Sequence, residues 1–316
     1  MDSNTTGIAP AERTPLTEAA LARLPQPGSL RAKPLIVTLF GDSIQPEGGG
    51  IWLSSLIRLA APFGLSERVV RTNVFRLRRE NWLTSRRQGR RSFYSLTAQA
   101  RRQFETAEGR IYSVPRNAWD GTWSLVILDP ALGPRERDHL LRALRWAGFA
   151  PFASNILAYP ARSPEIPASV IEDSGLGDKL LRLEGETLPG IAADSVRRII
   201  ESNWQLDEVR AGYEAFLDRY RPILDALAAS PHHPPEEAFI IRTLLIDEYR
   251  RILLKDPALP LPLLPEGWPG QPAAMLARNI YRIIGGVAQE HVHARLARDG
   301  MSTRTSQRFY ARFGGL

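Results

Sequence analysis

The residues best suited to contact a partner are the arginines of one short segment. Between Arg58 and Arg102 the sequence has twelve arginines, no lysine and only two acidic residues, Glu67 and Glu80. This segment carries a net charge of +10, whereas the whole chain of 316 residues carries +7, so the remainder is mildly acidic. Such an asymmetry is expected of a surface that binds a polyanion, for which nucleic acid is the usual candidate.

The densest cluster is SRRQGRRSFYSL, residues 85–96, where arginines surround a Gln-Gly turn. Two polar strands joined by a Gly-containing turn predict a β-hairpin. Like charges on one hairpin repel each other, and DNA phosphates relieve that repulsion when they replace counterions. We therefore expect a wing that follows the phosphate backbone or enters the minor groove, with Tyr94 and Leu96 turned inward. Its arginines are Arg86, Arg87, Arg90 and Arg91.

The segment before the hairpin predicts a helix that presents arginines outward. Ser66 can cap this helix, which runs to about Arg79, and Val70, Val74 and Leu77 form its apolar stripe. The residues facing away from that stripe and flanking it suit the major groove, where Arg recognises guanine and small side chains contact thymine methyl groups. They are Arg68, Arg71, Thr72, Phe75, Arg76 and Arg79, whereas Asn73 lies towards the core side.

The elements that position these groups form a recognisable order. Residues 34–44 and 51–61 indicate two helices before the one just described, and Thr97 can cap a fourth that ends near Tyr112. Helix, helix, turn, helix and basic hairpin are the layout of a winged helix-turn-helix.

The rest of the chain predicts two further domains. Residues 118–186 have the order β-α-β-β-α-β, with the second helix placed in PEIPASVIEDSG, and this order indicates a ferredoxin-like domain. From Ala192 onward the periodicity is helical, interrupted by a loop with six prolines among residues 256–272. We expect an α+β multidomain protein. Its parts are a disordered tail at 1–32, a winged helix-turn-helix at 33–113, a ferredoxin-like α/β sandwich at 118–190 and an all-α domain at 191–316.

Four stretches are distinctive beyond their periodicity. They are LSERVVRTNVFRLRRENWL, GRRSFYSLT, GTWSLVILDP and RTLLIDEYRRILLKDPALPLPLLPEGWPG. Through them, over about residues 33–290, the chain resembles the PaaX family, bacterial repressors of phenylacetic acid degradation operons. The resemblance implies a cytoplasmic homodimer without enzymatic activity or cofactor, bound to a palindromic DNA operator and released by phenylacetyl-CoA. One departure is Asp247, where many members have His, so the implied effector is phenylacetyl-CoA or a related aryl-CoA thioester.

Such an effector requires cationic groups for its phosphates and an apolar slot for its acyl end. The candidates for these roles lie in the most distinctive stretch of the chain. They are Arg242, Tyr249, Arg250, Arg251 and Trp268. The alternative is structural: the arginines cover a helix surface, and Trp268 packs the proline-rich loop onto the core.

Asp129 carries the second functional hypothesis, a metal-dependent nuclease that uses the winged helix for targeting. A ferredoxin-like domain with an aspartate at a strand end resembles the CRISPR spacer-acquisition nucleases, in which such a residue binds a metal. One carboxylate without neighbours is a poor metal site, however, and Asp before Pro commonly starts a turn. A third hypothesis is an architectural DNA-binding protein that has no small ligand.

The remaining patterns argue against other classes of site. The chain has no cysteine, which excludes disulfides and thiol catalysis and fits a reducing cytoplasm. No run of about eighteen apolar residues indicates a membrane span. His291 and His293 point in different directions on a helix, and His232 and His233 lie among prolines, so all four are expected at the surface.

Overall fold

The protein is a mixed α+β structure with two small antiparallel sheets. The computed structural model describes residues 18–19, 21–26, 28–113, 118–161, 175–187 and 193–316. The chain divides into two compact units, one made of residues 1–113, 216–249 and 275–316 and the other of residues 114–215 and 250–274. The first unit therefore combines the N-terminal segment with parts of the C-terminal helices. The domains expected from the sequence are continuous ranges and do not combine these segments.

The N-terminal part of the first unit carries the arginine-rich segment. Its elements are α1 (Ala32–Thr38), which continues into a π-helical turn (Leu39–Ile44), β1 (Gly50–Trp52), α2 (Leu53–Ala60), α3 (Glu67–Arg79), β2 (Leu83–Gln88), β3 (Arg91–Leu96) and α4 (Ala98–Ile111). The Ser66 hydroxyl accepts a hydrogen bond from the Val69 amide at 3.4 Å, and Thr97 caps α4 in the same way through Ala100 at 3.1 Å. Both predicted caps are confirmed.

The sheet of this unit has the strand order β1-β3-β2. The two-residue turn between β2 and β3 has Gly89 at φ 59°, a left-handed conformation that glycine adopts without strain. The prediction of a helix from residue 51 is wrong at its start. Ile51 and Trp52 instead pair with Tyr94 and Phe93 of β3, so α2 begins at Leu53 and the hairpin gains a third strand.

The sheet of the second unit has the strand order β5-β6-β4-β7, with every neighbouring pair antiparallel. Its strands are β4 (Thr122–Leu128), β5 (Ala150–Ala153), β6 (Ile156–Tyr159) and β7 (Leu180–Glu186). Helix α5 (Pro134–Trp146) lies between β4 and β5 in the chain. Side chains of β4 alternate between buried and half-buried, because successive residues of a strand point to opposite faces. The predicted second helix, in PEIPASVIEDSG, falls almost entirely outside the described residues.

The C-terminal part of the chain is helical, as the periodicity predicts. The helices are α6 (Ala193–Asn203), α7 (Leu206–Ala229), α8 (Pro235–Leu253), α9 (Gly270–Ala297) and α10 (Gln307–Tyr310). The proline-rich segment between α8 and α9 is irregular apart from one 3₁₀ turn at Leu261–Leu263, because proline lacks the amide donor of a helix. Within the described ranges, no helix combines the length and apolarity needed to cross a membrane.

Candidate nucleic-acid interface

Helix α3 presents one basic face to solvent. Val70, Val74 and Leu77 are buried, and the six residues expected to enter the major groove are all exposed. Phe75 is 55% exposed, which leaves its ring open to contact with a partner. Asn73 is buried and donates its side-chain amide to the Val69 carbonyl at 2.9 Å, which is consistent with its exclusion from the interface.

Arg71 is held by an acidic neighbour on the same helix. Its guanidinium donates to Glu67 Oε1 from Nε at 2.8 Å and from Nη2 at 2.6 Å, one helical turn away. Both side chains are more than half exposed, and exposed pairs of this kind contribute roughly 0–1 kcal/mol. A DNA phosphate can therefore replace Glu67 at little energetic cost.

The wing uses aromatic rings to support its arginines. The Arg86 guanidinium lies over the Phe93 ring at 4.5 Å, and the Arg91 guanidinium lies over Trp52 at 4.3 Å. Arg87 donates to the Gly89 carbonyl at 3.2 Å. All four wing arginines are exposed, while Leu96 is buried and Tyr94 is half-buried, as expected of residues turned inward.

The sequence gives no sign of a carboxylate that lies near the wing. Asp299, in the turn after α9, lies 2.6 Å from Arg91 of the wing and 2.5 Å from Arg58 of α2. The hydroxyl groups of Ser54 and Ser55 also donate to it. No local pattern could have revealed this contact, since Arg91 and Asp299 are 208 residues apart.

A second group missed from the sequence is the buried carboxylate of Asp42. Tyr112 and Tyr281 each donate a hydroxyl hydrogen bond to its Oδ1 at 2.8 Å, and Arg312 Nη1 lies 3.1 Å from the same atom. Arg242 Nε lies 2.9 Å from Oδ2. Burial alone raises the pKa of the Asp42 carboxyl, but the two arginines and the hydrogen bonds from the two tyrosines together outweigh it, so its pKa lies below the usual value.

Comparisons with known proteins agree with the resemblance drawn from the sequence. A family model described as PaaX-like protein matches residues 31–100, and one described as PaaX-like protein C-terminal domain matches residues 204–294. The protein named transcriptional repressor PaaX of Escherichia coli (strain K12) is 37% identical over 284 residues, 89% of this chain and 90% of that one. The chain belongs to the PaaX family. Among solved structures, uncharacterized protein Rv0674 from Mycobacterium tuberculosis gives a TM-score of 0.47 at 20% identity, covering 76% of this chain and 90% of that one.

The two PaaX matches cover different parts of the candidate sites. The N-terminal match extends from α1 into α4 and includes all ten residues expected to face DNA. The C-terminal match includes α7, α8, most of α9 and all five candidate effector residues.

The structure places the candidate effector residues in different surroundings. Arg242 is fully buried. It pairs with Asp42 and donates to the Gly285 carbonyl and the Ser43 hydroxyl. Tyr249 is buried beside Phe216, with ring centroids 5.5 Å apart. Both belong to the first unit, whereas Arg250, Arg251 and Trp268 belong to the second.

Within the second unit, Trp268 packs as the structural alternative requires. Its ring is buried edge-on to Tyr213 at 6.2 Å, and the Arg210 guanidinium lies over it at 5.5 Å. Arg251 is exposed and Arg250 is half-buried. A role of these five residues in binding a PaaX effector stays a prediction.

Asp247, where the resemblance to the PaaX family implies His, is buried in the first unit. Its Oδ1 accepts a hydrogen bond from the Thr38 hydroxyl at 2.8 Å. This bond connects α8 to α1 and shows that the carboxylate has a structural partner.

Asp129 has the environment of a turn residue. Its Oδ1 accepts the Ala131 amide at 2.8 Å, and its carbonyl accepts the Leu132 amide at 3.1 Å. In the part of the chain that the structure describes, no three His, Cys, Asp or Glu side chains come together in a way that could hold a metal ion. These observations do not favour a nuclease.

The expectation of surface histidines is wrong for His291. Its ring is 5% exposed and stacks on Phe239 with centroids 4.8 Å apart, and burial lowers its pKa to about 4. A sequence signal existed, because His291 continues the stripe of Ile284 and Ala288 at i, i+4 and i+7. His293 is only half-buried and lies 3.1 Å from Glu47.

Proposed function

We propose that this protein is a DNA-binding transcriptional repressor. The observation that carries the proposal is the pairing of an exposed, arginine-rich helix face with an arginine-rich hairpin that follows it in the chain. A solvated helix face usually mixes charges of both signs, whereas the exposed face of α3 is dominated by arginine. The name of the Escherichia coli relative, transcriptional repressor PaaX, supports the same function.

In this proposal the residues divide between specificity and affinity. Residues 33–113 act as a winged helix-turn-helix domain, whose helix α3 enters the major groove. Arg68, Thr72 and Phe75 lie on the outermost face of that helix and are placed to contact base edges. The wing arginines neutralise phosphates, which strengthens binding to any DNA sequence.

The proposal includes release by a small ligand. The protein works in the cytoplasm as a homodimer on a palindromic operator, and phenylacetyl-CoA or a related aryl-CoA thioester releases it. Residues 118–190 form a ferredoxin-like domain, and the helical region 191–316 contributes dimer contacts and the effector pocket. Moving a 1:99 equilibrium to 99:1 requires the effector to favour the released state by about 5.5 kcal/mol.

A DNA-binding titration tests the proposal directly. The purified protein is titrated against a duplex from its own upstream region and against a scrambled duplex of equal length. The titration is run at two salt concentrations, with and without phenylacetyl-CoA. We expect tighter binding to the upstream duplex, weakening at high salt and release by the thioester. Equal binding to both duplexes would favour an architectural protein, and specific binding that the thioester leaves intact would refute that effector.

A further inference from the structure

Four side-chain donors converge on the Asp299 carboxylate. Arg91 lies 2.6 Å from it and Arg58 lies 2.5 Å from it. The Ser54 hydroxyl donates at 2.7 Å, and the Ser55 hydroxyl donates to the same oxygen. The carboxylate is only 12% exposed, whereas Arg91 is 46% exposed. Both arginines therefore share one acidic partner, which leaves one positive charge of the group uncompensated.

Helix α9, which Asp299 follows, does not stabilise the charge of its carboxylate. The amide of Asp299 bonds to the Leu296 carbonyl, so this residue lies at the C-terminal end of α9. Acidic side chains are disfavoured there, because the helix dipole places negative partial charge at that end. The four donors must supply the compensation. They come from the first two turns of α2 and from the wing, which are elements of the proposed DNA-binding domain.

We propose that Ser54, Ser55, Arg58 and Arg91 form a binding site for one backbone phosphate of DNA, and that Asp299 occupies this site in the free protein. Arginines and hydroxyl groups bind phosphate and carboxylate oxygens by the same charge-assisted hydrogen bonds. The two serines lie in the first turn of α2, where the helix dipole favours an anion. The proposal rests on the proposed DNA-binding function and adds an internal competitor to it.

The competition has a consequence for affinity. Each DNA molecule must displace the Asp299 carboxylate before its phosphate can contact Arg91 and Arg58. The protein therefore binds DNA more weakly than it would with a neutral residue at position 299. This arrangement also connects the end of α9 to α2, since Ser55 and Arg58 both donate to the Arg295 carbonyl.

The test compares the wild-type protein with Asp299→Asn in DNA titrations over a range of salt concentrations. Asparagine keeps an oxygen acceptor for the serines and removes the charge. Each additional phosphate contact steepens the slope of log affinity against log salt by about 0.9. Between roughly 50 and 200 mM salt, the affinity therefore falls about threefold more than it does without that contact. We expect Asp299→Asn to bind DNA at least about threefold more tightly at low salt, with that steeper slope.

Two comparisons make the result specific. Glu105→Gln also removes one negative charge from the first unit, at a surface pair with Arg308, and controls for net charge alone. Arg91→Ala should cost more affinity in the Asp299→Asn background than in the wild-type protein, because only there is Arg91 free of its acidic partner. Asp299→Ser serves in place of Asp299→Asn if the latter does not fold, as judged by thermal unfolding.

The outcomes separate this inference from the function on which it rests. Tighter binding by Asp299→Asn, but not by Glu105→Gln, supports the phosphate site. If the wild-type protein binds DNA and Asp299→Asn binds equally or more weakly, the inference is wrong and the proposed function stands. If the wild-type protein shows no salt-dependent DNA binding, the proposed function fails and the phosphate site fails with it.

Discussion

Asp42 and Arg242 form an ion pair from which solvent is fully excluded, with Asp42 Oδ2 lying 2.9 Å from Arg242 Nε. The pair joins the π-helical turn after α1 to the middle of α8. Removing two charges from water is costly, and the cost is offset only where further hydrogen bonds satisfy both groups. Tyr112 and Tyr281 supply such bonds to the carboxylate, and the Gly285 carbonyl accepts one from the guanidinium.

Asp42→Asn should therefore destabilise the first unit strongly. The substitution leaves the buried Arg242 without its counter-charge, a situation that typically costs about 3–5 kcal/mol, whereas Arg312 keeps its pair with Glu108. Urea unfolding monitored by circular dichroism measures the change. Glu80→Gln is the matched control, because its pair with Lys33 is nearly half exposed and should contribute less than about 1 kcal/mol. Equal effects of the two substitutions would contradict the structural role of Asp42.

His291 predicts a pH-dependent contribution to stability. Its pKa is lowered to about 4 in the folded protein, first by burial and then by the positive charge of Arg295. An unfolded His has a pKa near 6.5, so protonation favours the unfolded state. The free energy of unfolding should fall by about 2–3 kcal/mol as the pH decreases from 6.5 to 4, and this contribution should be complete above pH 6.5.

Unfolding measurements at several pH values check this contribution. His291→Phe keeps an aromatic ring against Phe239 and removes the titrating group, so the fall between pH 6.5 and 4 should become shallower. His232→Gln, at an exposed position, controls for the loss of one imidazole. An unaltered slope in His291→Phe would show that other groups cause the loss of stability in acid.

The features predicted correctly from the sequence depend on residues that lie only a few positions apart in the chain. Ser66 and Thr97 cap their helices because a hydroxyl needs only the amide three residues later, and the stripe of Val70, Val74 and Leu77 follows from helical periodicity. The exposed face of α3 then follows automatically, which is why the candidate DNA-facing residues could be named without a structure.

The features missed are those decided by distant partners. Nothing local distinguishes Asp299 from other charged residues near a helix end, yet its partner Arg91 lies in the wing. Arg242 has the same difficulty: an arginine on a helix suggests a surface position, and only the remote carboxylate of Asp42 allows its burial. The short strand β1 likewise depends on pairing with β3 rather than on its own three residues.

Arg90→Ala should weaken DNA binding about equally on every sequence. Arg90 is exposed in the turn of the wing, where its guanidinium can meet a phosphate. Its loss should reduce the slope of the logarithm of affinity against the logarithm of salt concentration by about one. Arg135→Ala, an exposed arginine of α5 in the second unit, is the control for lost charge. A loss confined to the specific site would show that Arg90 contacts a base.

Arg68→Ala should have the opposite signature, because Arg68 lies on the outermost face of α3. A bidentate contact between Arg and guanine discriminates by about 1–3 kcal/mol, which corresponds to roughly five- to 150-fold in affinity. We expect a loss of that size on the operator, and on a scrambled duplex a loss similar to that of Arg90→Ala. Titration against a panel of single-base variants of the operator should show relaxed preference at one position per half-site. A uniform loss across the panel would move Arg68 from base recognition to phosphate contact and would require a different orientation of α3 in the groove.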